Sequence, residues 1–329
     1  MTEHPPSTAI LLINLGGPDS LASVRPFLCN LFSDPDIMGQ NRLLLKPLAW
    51  YISRKRAPAV QKFYALIGGR SPILELTRQQ GAALNKALAP HGRFEVFVAM
   101  RYWHPVIEEV VQEILTSPVS QVIVLPLYPH YSATTTGSSL NEFNRVWQRL
   151  GRDKIKVNPI REWYNHPTYI RAMCDTVQQC ADSHKLELRD TAIVFSAHGI
   201  PLKFIEQGDP YARQIEKSVE LIAGQLGLRA NYHLCYQSRV GPLKWLGPST
   251  EELLKELAAK KVRDVLLVPI SFISDHLETL YEMDILYREK AIEYGIPNVY
   301  RAPALNNSPF LIEALKELVL QQIDGGTWK

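Results

Sequence analysis

Between Ile270 and Asp284 the chain reads ISFISDHLETLYEMD, placing Asp275, His276, Glu278, Glu282 and Asp284 directly behind the apolar run Val265–Pro269. Glu278 and Glu282 are four residues apart and share one face if the segment is helical. A neutral imidazole beside a carboxylate suits a divalent transition ion such as Fe²⁺, Zn²⁺ or Co²⁺, whereas so few oxygens do not make a calcium site. A second candidate is His198 in FSAHGIP, where an apolar strand precedes the ring and small neighbours leave room for a ligand. Desolvation there favours the neutral imidazole, which accepts a proton or binds a metal. Plainer readings stand beside both. His198 also suits a structural role at a strand end, and Asp275 with Glu278 three residues on has the spacing of a helix-capping box.

Groups of this kind need a scaffold that brings distant segments together. Apolar runs rich in β-branched residues occur at Thr8 to Leu15, Phe94 to Met100, Val122 to Leu127, Thr191 to Ala197, Tyr232 to Tyr236 and Val265 to Ile270. Helical periodicity lies between them, as at Pro72 to Leu88, Tyr211 to Leu226 and Thr250 to Ala259. This alternation predicts parallel strands joined by crossover helices, and unbroken apolarity predicts strands covered on both faces. The pattern is also written twice. AILLINLGGP (Ala9 to Pro18) matches AIVFSAHGIP (Ala192 to Pro201), FEVFVAMRYWHP has the outline of NYHLCYQSRVGP, and VIVLPLYPHYS parallels VLLVPISFISD. The expectation is an α/β protein of two similar Rossmann-like domains, each a parallel sheet flanked by helices. Ligands of such sheets bind beyond the carboxyl ends of the strands. Pro269 marks one such end, since a central strand does not hold proline in its interior, so the acidic cluster and His198 should face a common ligand.

Composition narrows the function classes. At 329 residues the chain accommodates two cores of about 150 residues each. A net charge of +3 is too small to imply nucleic-acid binding. The first residues, MTEHPPSTAILLIN, lack the features of a secretory signal, and no apolar run reaches the roughly 20 residues that span a bilayer. An intracellular, cytoplasmic protein is expected. Cys29, Cys174, Cys180 and Cys235 show no CxxC spacing, which points to reduced thiols rather than a disulfide framework or zinc site.

Eight blocks in order make the chain resemble the ferrochelatases: INLGGPDS (Ile13–Ser20), RKRAP (Arg54–Pro58), IGGRSP (Ile67–Pro72), MRYWHP (Met100–Pro105), YSATTTGSSLN (Tyr131–Asn141), FSAHGIP (Phe195–Pro201), QSRVGPLKWLGP (Gln237–Pro248) and SDHLETLYEMD (Ser274–Asp284). The resemblance spans nearly the whole chain. It implies a chelatase-like fold, a porphyrin and ferrous iron as substrates, and metal and catalytic roles for His198 and Glu278. Asp275, His276 and Glu282 would surround that pair. Leu15, Tyr128 and Trp245 would wall the porphyrin, with Arg56, Tyr64, Ser71, Arg101 and Tyr102 as candidates for positioning the ring or its carboxylates. Core packing and solvated surface charge are the alternatives for these side chains.

Expected domains are 1–162 with a cleft lip, 163–307 with the metal-site residues, and a helix in 308–329 that packs back on the first domain. The expected reaction is insertion of Fe²⁺ into protoporphyrin IX to give haem b. The other readings are a coproporphyrin III ferrochelatase, a sirohydrochlorin cobaltochelatase and a carrier without turnover. No tightly bound cofactor is expected. Some relatives hold a [2Fe–2S] cluster through an internal cysteine and a cysteine-rich C-terminal extension. Here the internal position is Ala133 and the sequence ends in TrpLys, so no cluster is expected. Leucines, Trp50 and basic residues mix in 40–56, which suits peripheral contact with an anionic membrane and equally a core helix interrupted at Pro47. The family's acids recur at four-residue steps, but the next step here is Leu286, which puts an outer metal site in doubt.

Overall fold

The computed structural model describes residues 7–39, 42–151, 153–239, 241 and 243–323, without the side chains of 42–44. Gln40, Asn41 and the side chains of Arg42, Leu43 and Leu44, part of the expected membrane-facing segment, therefore lie outside the described residues, as do Val240, Pro242 and the terminal TrpLys. The chain divides into two units, Met1–Trp163 with Leu311–Lys329, and Tyr164–Phe310.

The described residues form two four-stranded parallel sheets. In the first unit β1 (Ser7–Asn14), β2 (Phe94–Met100), β3 (Val119–Pro126) and β4 (Lys156–Pro159) lie in the order β2-β1-β3-β4. In the second, β5 (Ala192–His198), β6 (Tyr232–Gln237), β7 (Asp264–Pro269) and β8 (Asn298–Arg301) lie in the order β6-β5-β7-β8. The two topologies are the same. Edge strands β4 and β8 were not foreseen, because KVNP and NVYR are four-residue segments without an apolar run.

Both faces of each sheet are covered, which is why the middle strands read as continuous apolar runs. Ala9, Leu11 and Ile13 of β1 pack with Val110, Val111, Phe143 and Val146, while Ile10 and Leu12, pointing the other way, are also fully buried. In the second unit Val194, Val265 and Leu267 pack with Leu253, Leu254 and Leu257 and with Met283 and Tyr287. The last helix, Pro309–Ile323, brings the Gln322 carbonyl within 3.5 Å of Asn158 Nδ2 on β4.

Two helices differ from expectation. Arg42–Leu66 runs through both Pro47 and Pro58, so the break expected at Pro47 does not occur. Each proline forfeits a backbone hydrogen bond, but Leu45, Ala49, Ser53, Ala57, Val60 and Tyr64 form a continuous buried stripe that holds the helix together. The acidic segment Glu278–Tyr287 is π-helical rather than α-helical. With bonds running from i to i+5, residues four to five apart share a side. Thr279, Met283 and Tyr287 therefore turn into the core, where burying Met283 and Tyr287 contributes about 1.5–3 kcal/mol each.

Candidate functional site

His198 is the last residue of β5 and is fixed at both backbone ends: its N–H donates to Ser271 Oγ (2.8 Å) and its carbonyl accepts from Tyr211 Oη (2.9 Å). A bulky neighbour could not follow it, since a Cβ on Gly199 would meet the Gln237 carbonyl at 2.8 Å. Held in this way, His198 Nδ1 donates to Glu278 Oε2 at 2.9 Å. Glu278 opens the π-helical segment, and its Oε2 also lies 3.6 Å from His276 Nε2. His276 Nδ1 donates to the Ser274 carbonyl (3.0 Å), which turns Nε2 toward Glu278. Phe272 stands edge-on to His198 (6.2 Å between ring centres) and tilts against His276 (4.7 Å). Because Nδ1 of His198 serves the carboxylate, Nε2 of the neutral ring keeps its lone pair for a proton or a metal.

Glu282 lies one step further along the segment. Its Oε2 accepts from Ser238 Oγ (2.8 Å) and Gln237 Nε2 (3.3 Å), while the same Gln237 amide donates to the Glu278 carbonyl (3.0 Å) and its oxygen accepts from Ser196 Oγ (2.8 Å). The two carboxylates differ in protonation. Burial works against the ionised form of Glu278, yet the facing His198 and His276 hold its carboxyl well below the usual range. Burial, reinforced by the charge on Glu278, pushes Glu282 up to about 7. Burial also opposes the charged form of His198, but Glu278 outweighs it and raises the imidazole. Paired groups whose environments drive their pKa values apart divide acid and base roles between them.

Asp275 does not cap the segment as its spacing suggested. The residue preceding Glu278 is Leu277, without a side-chain cap. The Asp275 carboxylate instead accepts from Arg301 Nη1 (2.8 Å), Asn306 Nδ2 (2.7 Å) and Thr279 Oγ1 (2.8 Å), tying the site to β8. Trp245 is half-buried and bridges Pro201, with its ring 3.5 Å from the position of a Gly199 Cβ, so it stands beside the His198 strand end. Leu286 is half-buried and adds no ligand at the next step of the segment. Among the described residues no group of three or more His, Cys, Asp and Glu side chains is arranged to hold a metal ion.

The remaining candidates belong to the first unit. Leu15 directly follows β1, at the position that matches His198, the last residue of β5, and Ser71 donates its N–H to the Pro18 carbonyl (2.8 Å) at the INLGGP turn. Tyr128, beyond the end of β3, is half-buried, and its phenol is pushed far up by burial. Arg56 lies over the Phe32 ring at 5.4 Å. Direct grips on a substrate carboxylate by Tyr64 and Tyr102 are not what the structure offers, because the two are only 4% and 2% exposed. The Tyr102 hydroxyl donates to Asp34, which also receives Ser138 Oγ and Arg101 Nη2 (2.9 Å), while Arg101 Nε donates to Ser138 Oγ (2.8 Å). Arg101 and Tyr102 thus hold the unit's own carboxylate.

Sequence reasoning did not single out Tyr211, Gln237, Ser238, Ser271 or Phe272. Ser271 and Phe272 were findable from their place directly after Pro269, and Gln237 and Ser238 from the block QSRVGP. Tyr211 carried no signal, because its contact with the His198 carbonyl is purely tertiary.

Two α/β units of this topology form a chelatase-like fold, the second carrying the histidine–glutamate pair, and solved structures agree on the fold. SirB from Bacillus subtilis with Fe³⁺ superposes with a TM-score of 0.57 at 15% identity, covering 97% of this chain and 98% of that one. CbiX, described as the terminal enzyme of sirohaem biosynthesis in denitrifying bacteria, gives 0.51 at 14% identity over 95% and 98%. Sequence is more specific. The ferrochelatase family profile matches residues 7–323. A ferrochelatase of Geotalea daltonii is 48% identical over 95% of this chain and 97% of its own length, and one of Aquifex aeolicus is 46% identical over 95% and 99%. The chain belongs to the ferrochelatase family, and so to the lyases that insert metal into porphyrin.

Proposed function

We propose that the enzyme inserts Fe²⁺ into protoporphyrin IX to form haem b, with His198 as proton acceptor and Glu278 as its partner and metal ligand. The observation that carries this reading is the 2.9 Å bond from His198 Nδ1 to Glu278, which orients Nε2 and keeps a carboxylate charged beside it. A metal-free porphyrin carries two inner N–H groups, and a divalent ion replaces both protons, so the charges balance when two protons leave. His198 Nε2 takes a pyrrole proton, and Glu278 stabilises the imidazolium that results. A positioned base of this kind is worth about 10² to 10⁴ in rate. Glu282, whose carboxyl is raised to about 7 and so gains and loses its proton near neutrality, passes the two protons onward along the segment in turn, while Asp275 and His276 hold the pair in place. By the family resemblance, Trp245, Leu15 and Tyr128 are each proposed as wall residues for the macrocycle, and Arg56 and Ser71 as residues for its carboxylates.

The test is an anaerobic insertion assay with protoporphyrin IX and coproporphyrin III side by side. Many turnovers with the first and few with the second are expected; the reverse preference would overturn the substrate and leave the site chemistry standing. Loss of neither activity on His198→Ala would overturn the role of the histidine.

We also propose peripheral membrane contact through residues 40–56, whose Trp50 and Tyr51 are 51% and 49% exposed beneath Arg25, Arg54 and Lys55. Exposed aromatics interleaved with cations suit an anionic lipid surface. Co-sedimentation with phosphatidylglycerol vesicles, lost on Trp50→Ala/Tyr51→Ala, is expected; equal sedimentation of the double variant would overturn it.

A further inference from the structure

The second unit holds a cavity of about 260 Å³ in a place the insertion chemistry does not use. Its polar lining is His184, Asp284, Arg288, Tyr300 and Arg301, and the buried side chains of Met283 and Val299 back it. Six of these seven residues come from the π-helical segment, the helix that follows it and β8, and His184 ends the helix Pro167–Ser183. The His184 and Tyr300 rings meet at 4.7 Å and form one wall.

Among the described residues, only one of the two guanidiniums lining this cavity is paired. Arg301, its side chain only 10% exposed, donates from Nε to Asp284 and from Nη1 to Asp275, both at 2.8 Å. Those two carboxylates answer one guanidinium, and its Nη2 has no partner among the described residues. Arg288 contributes a second guanidinium with neither an ion pair nor a hydrogen bond among the described residues. Guanidinium groups present forked N–H donors that match the oxygens of a phosphate or carboxylate. At roughly 30 Å³ per water, the space holds about eight or nine waters, which is room for an oxyanion with a small organic body. Asp284, its side chain 37% exposed, is the internal counter-ion such a ligand would compete with.

We propose that this cavity is a binding site for a small oxyanion, a phosphate or carboxylate group on a compact metabolite, gripped by Arg288 and Arg301 beside the ring of Tyr300. Its residues are not those assigned to the insertion step, although Arg301 also holds Asp275, and the proposal does not depend on which porphyrin the enzyme uses.

Isothermal titration of the full chain with inorganic phosphate, glycerol phosphate and citrate tests it, with ³¹P line broadening as a second readout for the first two. Binding of at least one with a Kd near or below about 1 mM is expected. Preference for the two phosphates or for citrate identifies which oxyanion the site takes. Arg288→Gln, an exposed change that leaves the core untouched, should weaken binding about ten- to a hundredfold, the worth of a charged hydrogen bond. Asp284→Asn, which removes the competing carboxylate, should tighten it several-fold. Absence of binding for all three anions, or binding within twofold of the parent in Arg288→Gln, would overturn the proposal.

Discussion

The carboxyl ends of the two sheets are built to one plan and carry opposite chemistry. Ile13 lies opposite Pro126 in the first unit as Ser196 lies opposite Pro269 in the second, so β1 with β3 and β5 with β7 share a register. Each third strand is followed by a π-helical segment, Ala133–Gly137 and Glu278–Tyr287. In that shared register Leu15 stands where His198 does, Thr135 where Glu278 does and Ser139 where Glu282 does. The first unit therefore presents apolar and hydroxyl groups at each position where the second presents an ionisable one. Backbone geometry alone does not make the site. On the same scaffold an imidazole and a carboxylate stand in one unit where leucine and threonine stand in the other.

The largest expected effect tests that statement at its centre. His198→Ala should lower kcat by about 10² to 10⁴, the worth of a positioned base, with the circular dichroism spectrum unchanged. Leu15→Ala, its counterpart, should act mainly on KM for the porphyrin. A greater loss of kcat from the leucine than from the histidine would break the comparison.

The next pair is Glu278→Gln against Thr135→Val. The glutamine keeps the size and loses the charge beneath the imidazole, so kcat should fall about 10²-fold while porphyrin affinity, read by fluorescence quenching, stays nearly constant. Thr135→Val should leave both unchanged. Weaker porphyrin binding with kcat preserved in Glu278→Gln would make the carboxylate a binding group and not a partner of the base.

Glu282 sharpens the contrast through pH. Its carboxyl is raised in the fold to about 7 from an ordinary value of 4.5. The native state therefore binds the proton more tightly than the unfolded chain, and the associated stability is complete below about pH 4.5 and is lost as pH rises through about 7. Urea midpoints of the parent should fall over that window relative to Glu282→Gln, which cannot ionise. Parallel profiles would mean that Glu282 is already ionised throughout. Ser139, its counterpart, has no such titration, so Ser139→Ala should run parallel to the parent.

What could be read in advance divides along physical lines. Continuous apolar runs showed the four central strands and the edge strands β2 and β6, since burial leaves a mark in composition. Conversely, β4 and β8 gave no signal because each has only four residues, too few for such a run, whereas the other edge strands β2 and β6 have seven and six. His198 and Glu278 were visible from their place at strand ends. The π-helical form of 278–287 was not, because its register is set by Met283 and Tyr287 seeking the core, and an α-helix accommodates the same letters. Register hid a further detail. Matching the two halves by sequence put Ala99 with Tyr236, yet Ile13 pairs with Ala99 while its counterpart Ser196 pairs with Cys235, one residue earlier. Pairing between neighbouring strands is decided by side-chain packing on both faces, which a comparison of single strands does not contain. For the same reason the ties of Asp275 to Arg301 and Asn306 escaped a local reading that saw only a capping acid.

The smallest effect concerns how the two units brace their corresponding helices. Glu108 is the second residue of Ile107–Ile114 and pairs with Arg149 at 2.6 Å; Glu251 is the second residue of Thr250–Ala259 and pairs with Lys255 (2.9 Å) and Lys290 while accepting from Tyr294 Oη (2.8 Å). Three partners, Lys290 foremost, hold the Glu251 carboxyl down to about 2 from its ordinary 4.5. A depressed carboxyl contributes stability that is present above about pH 4.5 and lost as pH falls through about 2. Its side chain is 34% exposed, so solvent screening keeps the contribution to about 1 kcal/mol or less. Glu251→Gln should therefore lower the urea midpoint slightly at pH 7, with the difference from the parent closing as pH falls toward 2. Glu108→Gln, with one partner and side chains 51% and 38% exposed, should do less. An equal or larger cost at Glu108 would show that the second unit's bracing has no advantage over the first, and that the difference between the halves lies in their strand-end residues alone.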